Sequence, residues 1–135
     1  MIVLNFQKAL AEGTPLRFAT REYRGITWIE EVVKNIPYTF DLPGGVYNFG
    51  AENDLNTYET ACRYAALLLA CTSDVCKPNQ LSELSQLVVA DPSRFPEHVR
   101  NISISTKKAF EASDGKIKFK NTLDGLVEFL NNIKF

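Results

Sequence analysis

Two arginines in one short loop segment are the residues best suited to bind a charged ligand. Arg94 and Arg100 lie six positions apart around a stretch that contains Pro96. A guanidinium presents a planar fork of N–H donors that matches phosphate oxygens with paired, charge-assisted hydrogen bonds. Binding residues often lie in loops. The two side chains therefore predict contact with a phosphate-bearing ligand, and the plainer alternative for each is a surface ion pair with Asp91 or Glu97.

Tyr47 and Asn48 form a second candidate pair for ligand contact. They follow the Gly44-Gly45 turn, in an apolar and aromatic run over 46–50 that predicts a mostly buried strand. Ligands of α/β sheets bind at the ends of strands. We therefore expect Tyr47 and Asn48 to touch substrate, although a tyrosine in such a strand is more often a core residue.

The residue patterns that perform chemistry are absent from the sequence. There is no GxGxxG turn, no GxxxxGK[ST] phosphate loop and no YxxxK pair, and the single histidine, His98, has no nucleophile beside it. Three cysteines and one histidine exclude zinc sites built from four cysteines or from two cysteines and two histidines, and Cys62, Cys71 and Cys76 are interpreted as reduced thiols. We therefore predict no catalytic residue and no metal site.

Helical periodicity and capping signals divide the chain into elements. Helices are predicted over about 2–12 with Gly13 as terminator, over 27–36 behind a Thr27–Glu30 capping box, and over 106–112. Two more are predicted after caps, one at Asn56 with Glu59 three residues later and one at Asn121. The second helix carries an apolar stripe that we expect to be buried, formed by Trp28, Ile29, Val32, Val33 and Ile36.

Short strands are predicted between these helices, over 15–19, 46–50 and 116–119, with 101–105 extended and 87–90 open to either strand or helix. Helices alternating with short strands indicate an α/β protein. The expected fold is a small mixed sheet of short strands packed with four to five helices.

Composition narrows the classes of partner. The chain has 135 residues, a formal net charge of −1 and a pI of about 5.8, which predicts one domain over 1–135 and no nucleic-acid or anionic-membrane partner. No apolar run approaches the roughly 20 residues of a membrane span, and the apolar N-terminus lacks the features of a secretory signal. The predicted compartment is the cytoplasm.

Six sequence blocks, in their order along the chain, resemble the C-terminal, substrate-binding portion of dTDP-4-dehydrorhamnose reductases, which are extended short-chain reductases. Two family positions differ, since Ile26 replaces a proline and the family's acid is displaced to Glu22. The blocks are TPLRF at 14–18, YRGIT at 23–27, GVYNF at 45–49, NTYETA at 56–61, RFP at 94–96 together with RNISISTKK at 100–108, and TLDGL at 122–126.

This resemblance implies a single sugar-nucleotide-binding domain, the C-terminal part of a Rossmann-type reductase, without the half that binds NAD(P)H and carries the tyrosine–lysine pair. Such a chain would hold a nucleotide sugar but would be inactive by itself. Its partner would be the missing Rossmann half, or a second copy associating through the exposed interface, so an exposed apolar patch is expected.

Two alternatives stay open. The first is a non-catalytic binding or regulatory module of the same fold, as in the regulatory subunits of methionine adenosyltransferase. The second is part of a related nucleotide-sugar epimerase or dehydratase.

Overall fold

The computed structural model describes residues 6, 8, 9, 12–71 and 86–132; of residues 69 and 71 it describes the backbone alone. The chain divides into two compact units, a first unit of residues 1–22 and 55–100 and a second unit of residues 23–54 and 101–135. In chain order the elements are β1 (Leu16–Ala19), β2 (Glu22–Tyr23), α1 (Ile29–Asn35), a 3-10 turn (Ile36–Thr39), α2 (Thr57–Cys71), β3 (Val88–Asp91), β4 (Arg100–Asn101), α3 (Lys107–Ala112) and α4 (Thr122–Asn132).

The predicted α/β class is confirmed, but the described strands form two separate two-stranded parallel sheets in place of one mixed sheet. In the first sheet β1 pairs with β3, from Leu16 opposite Val88 to Ala19 opposite Asp91. In the second, β2 pairs with β4. The stretch over 87–90, for which the sequence allows either strand or helix, is therefore a strand from Val88 onward.

The first unit is built from the β1–β3 sheet and helix α2, which packs on both strands. Its core includes the rings of Phe6 and Tyr64, which are almost completely buried and meet edge to face with centroids 5.3 Å apart. The predicted capping box at the start of α2 is confirmed. Asn56 Oδ1 accepts from the backbone N–H of Glu59 at 2.8 Å, and Glu59 Oε2 accepts from the N–H of Asn56 at 3.0 Å.

Most of the helix predicted over 2–12, together with Cys76, lies outside the described residues. Its terminator is described: Gly13 has a φ of 64°, and the N–H of Thr14 donates to the carbonyl of Ala9 at 3.2 Å. That bond is the six-to-one closure of a Schellman motif, in which a left-handed residue favours glycine.

Helix α1 in the second unit buries a polar face. Glu31 and Asn35 are 8% and 5% exposed, whereas Ile29 and Val33 are 68% and 58% exposed. The prediction that the apolar stripe of this helix is buried is therefore wrong. The predicted Thr27–Glu30 capping box is also wrong, because Thr27 Oγ1 instead accepts from the N–H of Ala51 at 2.8 Å, and α1 begins at Ile29 without a side-chain cap.

The polar face of α1 is buried because it replaces a strand partner for the segment over 116–120. Asn35 Nδ2 donates to the carbonyl of Lys118 at 2.9 Å, and Asn35 Oδ1 accepts from the Lys118 N–H at 3.2 Å. The segment is consequently not the predicted strand, although the predicted alternation holds, with Ile117 buried between the exposed residues Lys116 and Lys118. An amide side chain carries both a donor and an acceptor and satisfies the backbone as a neighbouring strand would.

The run over 46–50 is likewise not a strand, and Val46 is 82% exposed. Burial in this region falls instead on Gly50 and Ala51. At Gly50 an added Cβ would lie 2.7 Å from Ile104 Cδ1 and 3.1 Å from Thr27 Oγ1, so a side chain there would displace Ile104.

Local hydrogen-bonding motifs mark the end of helix α3 and the beginning of helix α4. Helix α3 closes in a complete Schellman motif: Gly115 N–H donates to Phe110 O at 2.8 Å and Asp114 N–H to Glu111 O at 3.2 Å, with Asp114 at a φ of 52°. The predicted cap of α4 is confirmed, since Asn121 Oδ1 accepts from the N–H of Asp124 at 2.9 Å.

Candidate ligand-binding site

The two arginines singled out by the sequence come together around one aromatic ring in the first unit. The guanidinium of Arg94 lies 5.7 Å from the ring centroid of Phe95, and that of Arg100 lies 5.2 Å from the same centroid. Cation–π contact holds a guanidinium beside a ring without consuming its hydrogen-bond donors. The loop therefore presents two cations, with N–H donors available for a ligand, beside the ring of Phe95.

Arg100 is oriented by a buried carboxylate. Its Nη1 lies 3.5 Å from Glu22 Oε1, and the Glu22 side chain is only 6% exposed whereas that of Arg100 is 48% exposed. The pairing of β2 with β4 brings them together, because the Arg100 N–H donates to the Arg21 carbonyl at 2.9 Å. The ion-pair alternative thus holds for Arg100, but with Glu22 in place of Asp91 or Glu97.

The loop between the arginines is held in an unusual conformation. Phe95 has a φ of 60°, in the left-handed region that costs a non-glycine residue about 1–2 kcal/mol. The Arg21 guanidinium donates to the Pro96 carbonyl and so ties the next residue of the loop to the turn after β1. Backbone strain of this kind is concentrated at ligand-binding and active sites.

Arg94 is exposed and forms no direct ion pair within the described part of the chain. It interacts electrostatically with Asp91, whose carboxylate accepts from the backbone and hydroxyl of Ser93. The Ser93 hydroxyl is the main cause that lowers the pKa of Asp91; burial opposes this shift, while Arg17 and Arg94 reinforce it. Asp91 is therefore anionic at neutral pH and offsets part of the positive charge of the loop.

Tyr47 and Asn48 belong to the second unit, whereas the two arginines belong to the first. The Tyr47 hydroxyl donates to the Pro43 carbonyl at 2.9 Å, and Asn48 Nδ2 donates to the Ser105 carbonyl at 3.4 Å. Both contacts hold loops together. The sequence prediction that these two residues touch substrate stays a prediction.

Sequence reasoning did not single out Lys108, which joins Tyr47. Its Nζ lies 4.8 Å from the Tyr47 ring centroid and donates to the Val46 carbonyl at 2.9 Å. The Lys107-Lys108 pair was visible in the sequence, but only the tertiary structure shows which of the two turns toward Tyr47. Arg21 and Phe95 were missed for the same reason.

Two further candidate groups are His98 and Cys62, and the Cys62 thiol interacts with the Tyr58 hydroxyl and raises the pKa of that hydroxyl. His98 is exposed, and Cys62 is a half-buried free thiol. Within residues 6, 8, 9, 12–71 and 86–132, no three histidine, cysteine or acidic side chains are grouped to hold a metal ion. Among the described helices, none combines the length and apolar character needed to cross a membrane.

Comparison with known proteins returned no match to a family model, to a curated protein or to a solved structure.

Proposed function

We propose that the chain is the sugar-nucleotide-binding portion of an NAD(P)H-dependent reductase of the dTDP-4-dehydrorhamnose reductase type, and that it is inactive alone. The observation that carries the proposal is the pair of guanidinium groups, Arg94 and Arg100, on the one ring of Phe95. A diphosphate has two phosphate groups, and each of them can accept from one guanidinium fork. The nucleotide-sugar identity comes from the ordered sequence blocks.

The ion pair of Arg100 leaves donors available for such a ligand. A guanidinium has five N–H donors, and the 3.5 Å contact to Glu22 engages the Nη1 group. Because Glu22 is buried, Arg100 keeps its orientation when ligand is absent. Preorganisation of this kind reduces the ordering cost of binding.

The division of chemistry follows from the resemblance. In the intact enzyme NAD(P)H, bound by the other half, would supply the hydride that reduces the 4-keto group of a dTDP-deoxysugar. The residues of this chain would bind the nucleotide diphosphate and orient the sugar. A related epimerase or dehydratase would use this portion in the same way.

Helix α1 offers a surface for the other half. Ile29 and Val33 of α1 are exposed, and they are followed along the chain by exposed Ile36 in the 3-10 turn and by Phe40, which is 81% exposed. We assign this apolar surface to the cofactor-binding half, whose packing would remove it from water. The same surface favours a second candidate, a non-catalytic module that binds or regulates another protein.

Calorimetric titration with dTDP tests the binding claim. We expect saturable binding by the full chain, and about tenfold weaker binding for Arg94→Ala, because one charge-assisted contact is worth roughly 1.4 kcal/mol. Arg100→Lys keeps a positive charge beside Glu22 but loses the planar set of guanidinium donors, so it should weaken the binding of dTDP to a similar extent. Arg63→Ala, which replaces an exposed arginine on α2, is the matched control and should bind as the parent does.

Two outcomes contradict the proposal. If Arg94→Ala and Arg100→Lys both bind dTDP with unchanged affinity, the assignment of the site is refuted. If this chain alone turns over a dTDP-sugar with NADPH, the claim of inactivity is refuted. A stable protein partner without any affinity for dTDP would support the regulatory module instead.

A further inference from the structure

The second unit contains an open cleft of about 470 Å³ whose lining is rich in lysine. It lies among α1, the segment over 116–120 and α4. Clefts that bind small molecules in proteins range from roughly 300 to 1,000 Å³, so the volume suits a small ligand. The charged side chains on its lining are Glu31, Lys34, Lys116, Lys118, Lys120 and Glu128.

The sequence pattern explains why the ammonium groups converge. In the extended Lys-Ile-Lys-Phe-Lys segment, side chains alternate between two sides, so Lys116, Lys118 and Lys120 share one side. Ile117 points the other way and is completely buried. The segment is held in place through its backbone by Asn35 and Glu31, so its lysine side chains are not needed for packing.

The charges in the cleft do not cancel. Lys120 pairs with Glu128, and Lys34 lies 5.2 Å from the ring centroid of Trp28. Within the described portion of the chain, neither Lys116 nor Lys118 forms an ion pair. Four lysines against two glutamates leave two positive charges, which match the two negative charges of a phosphate monoester better than the single charge of a carboxylate.

Glu31 supplies a second, independent indication of a ligand. It is only 8% exposed, and its Oε1 accepts from the Lys120 N–H at 3.3 Å, but Oε2 is buried without a hydrogen-bond partner. Buried polar atoms in native proteins are nearly always hydrogen-bonded, so the unpartnered, buried oxygen of a glutamate that lines the cleft indicates a missing donor. A hydroxyl group of a ligand would provide it.

We propose that this cleft binds a small phosphate monoester that carries a free hydroxyl group. Lys116 and Lys118 contact the phosphate, and Glu31 Oε2 accepts from the hydroxyl. The cleft shares no residue with the pair Arg94 and Arg100, so this inference stands or falls separately from the proposed function.

The test is an NMR titration of the full 135-residue chain with glycerol 3-phosphate and with methyl phosphate, which has no hydroxyl. The reporters are the backbone amides of Lys118 and Lys120, whose N–H groups bond to Asn35 and Glu31. We expect saturable shifts of both amides, with glycerol 3-phosphate binding about fivefold more tightly than methyl phosphate because it also bonds Glu31.

Three variants separate the contributions. The double variant Lys116→Gln/Lys118→Gln should bind glycerol 3-phosphate at least about tenfold more weakly than the parent chain. Lys107→Gln removes an exposed lysine outside the cleft and should change this affinity less than about twofold. Glu31→Gln should reduce the preference for glycerol 3-phosphate, because a neutral amide oxygen accepts a hydrogen bond more weakly than a carboxylate. It should also strengthen the binding of methyl phosphate, because a negative charge leaves the cleft. A melting curve for each variant confirms that it is folded, and the exposed lysine variants keep the test decisive if Glu31→Gln is not.

The proposal is overturned if neither amide shows saturable shifts. It is also overturned if Lys107→Gln weakens binding as much as the double variant, which would indicate an adventitious ion only. Equal affinity for the two phosphates in the parent chain would remove the assigned role of Glu31.

Discussion

Replacing Asn35 tests how the second unit is held together. Asn35→Ala removes the two bonds that join α1 to the backbone of Lys118, at 2.9 and 3.2 Å, and the bond within α1 to the Glu31 carbonyl at 2.8 Å. Each lost bond costs about 1 kcal/mol net, and leaving buried partners unpaired adds roughly 1 kcal/mol. Because Lys118 is exposed, water replaces roughly 1.5 kcal/mol of this loss, and alanine recovers up to about 0.5 kcal/mol of helix propensity. The expected loss in the free energy of unfolding is about 2 kcal/mol.

Urea denaturation followed by the fluorescence of Trp28 measures this loss, because Trp28 immediately precedes α1 and is the single tryptophan of the chain. With a urea m-value of roughly 1.5 kcal/mol/M, the midpoint should fall by about 1.3 M. Asn132→Ala is the matched control, since that exposed side chain bonds only the Glu128 carbonyl of its own helix, and its effect should stay below about 0.5 kcal/mol. An equal, small effect of both substitutions would refute the role assigned to Asn35.

Three further predictions concern local signals and charge. Asn56→Ala should lower the free energy of unfolding by about 1 kcal/mol through loss of the α2 cap, measured by urea denaturation; no loss would contradict the capping assignment. Asp114 has a φ of 52°, in the left-handed region that is strained for residues other than glycine. Asp114→Gly should therefore raise the melting temperature and Asp114→Val should lower it, and the reverse order would refute the Schellman assignment. Because the folded-state pKa of Asp91 is depressed, its contribution to stability is present above the unfolded pKa of about 3.9 and is lost as the pH falls through the lower folded value. Ser93→Ala should raise that pKa toward its usual value, which NMR titration of the carboxyl carbon measures; an unchanged pKa would show that Ser93 is not its main cause.

Signals confined to a few neighbouring residues were readable from the sequence. The caps at Asn56 and Asn121 and the terminator at Gly13 are correct, because their hydrogen bonds join residues three to five positions apart. The alternating burial of 116–119 was also correct, since an extended backbone imposes it. These features need no knowledge of the rest of the chain.

Features that depend on a distant neighbour were not readable. The apolar stripe of α1 is a genuine pattern, but periodicity cannot say which face meets the unit's own core, and here Asn35 and Glu31 take that place. The run at Val46 has strand composition but finds no pairing partner among the described residues, so Val46 stays exposed.

The candidate site, too, was predictable from the sequence only in part. Residue type identified Arg94 and Arg100 as suited to phosphate groups, because guanidinium chemistry does not depend on the fold. The shared ring, the buried Glu22 and the left-handed Phe95 arise from strand pairing and loop closure, which no short sequence window contains.

The central claim is that the loop around Phe95 binds a nucleotide diphosphate through its two arginines. The most direct measurement compares the affinities of dTDP and of thymidine, which has no phosphate, for the parent chain and for Arg94→Ala. The account predicts that dTDP binds far more tightly than thymidine to the parent chain and that Arg94→Ala reduces this ratio about tenfold. An unchanged ratio, or equal affinity for dTDP and thymidine in the parent chain, would contradict it.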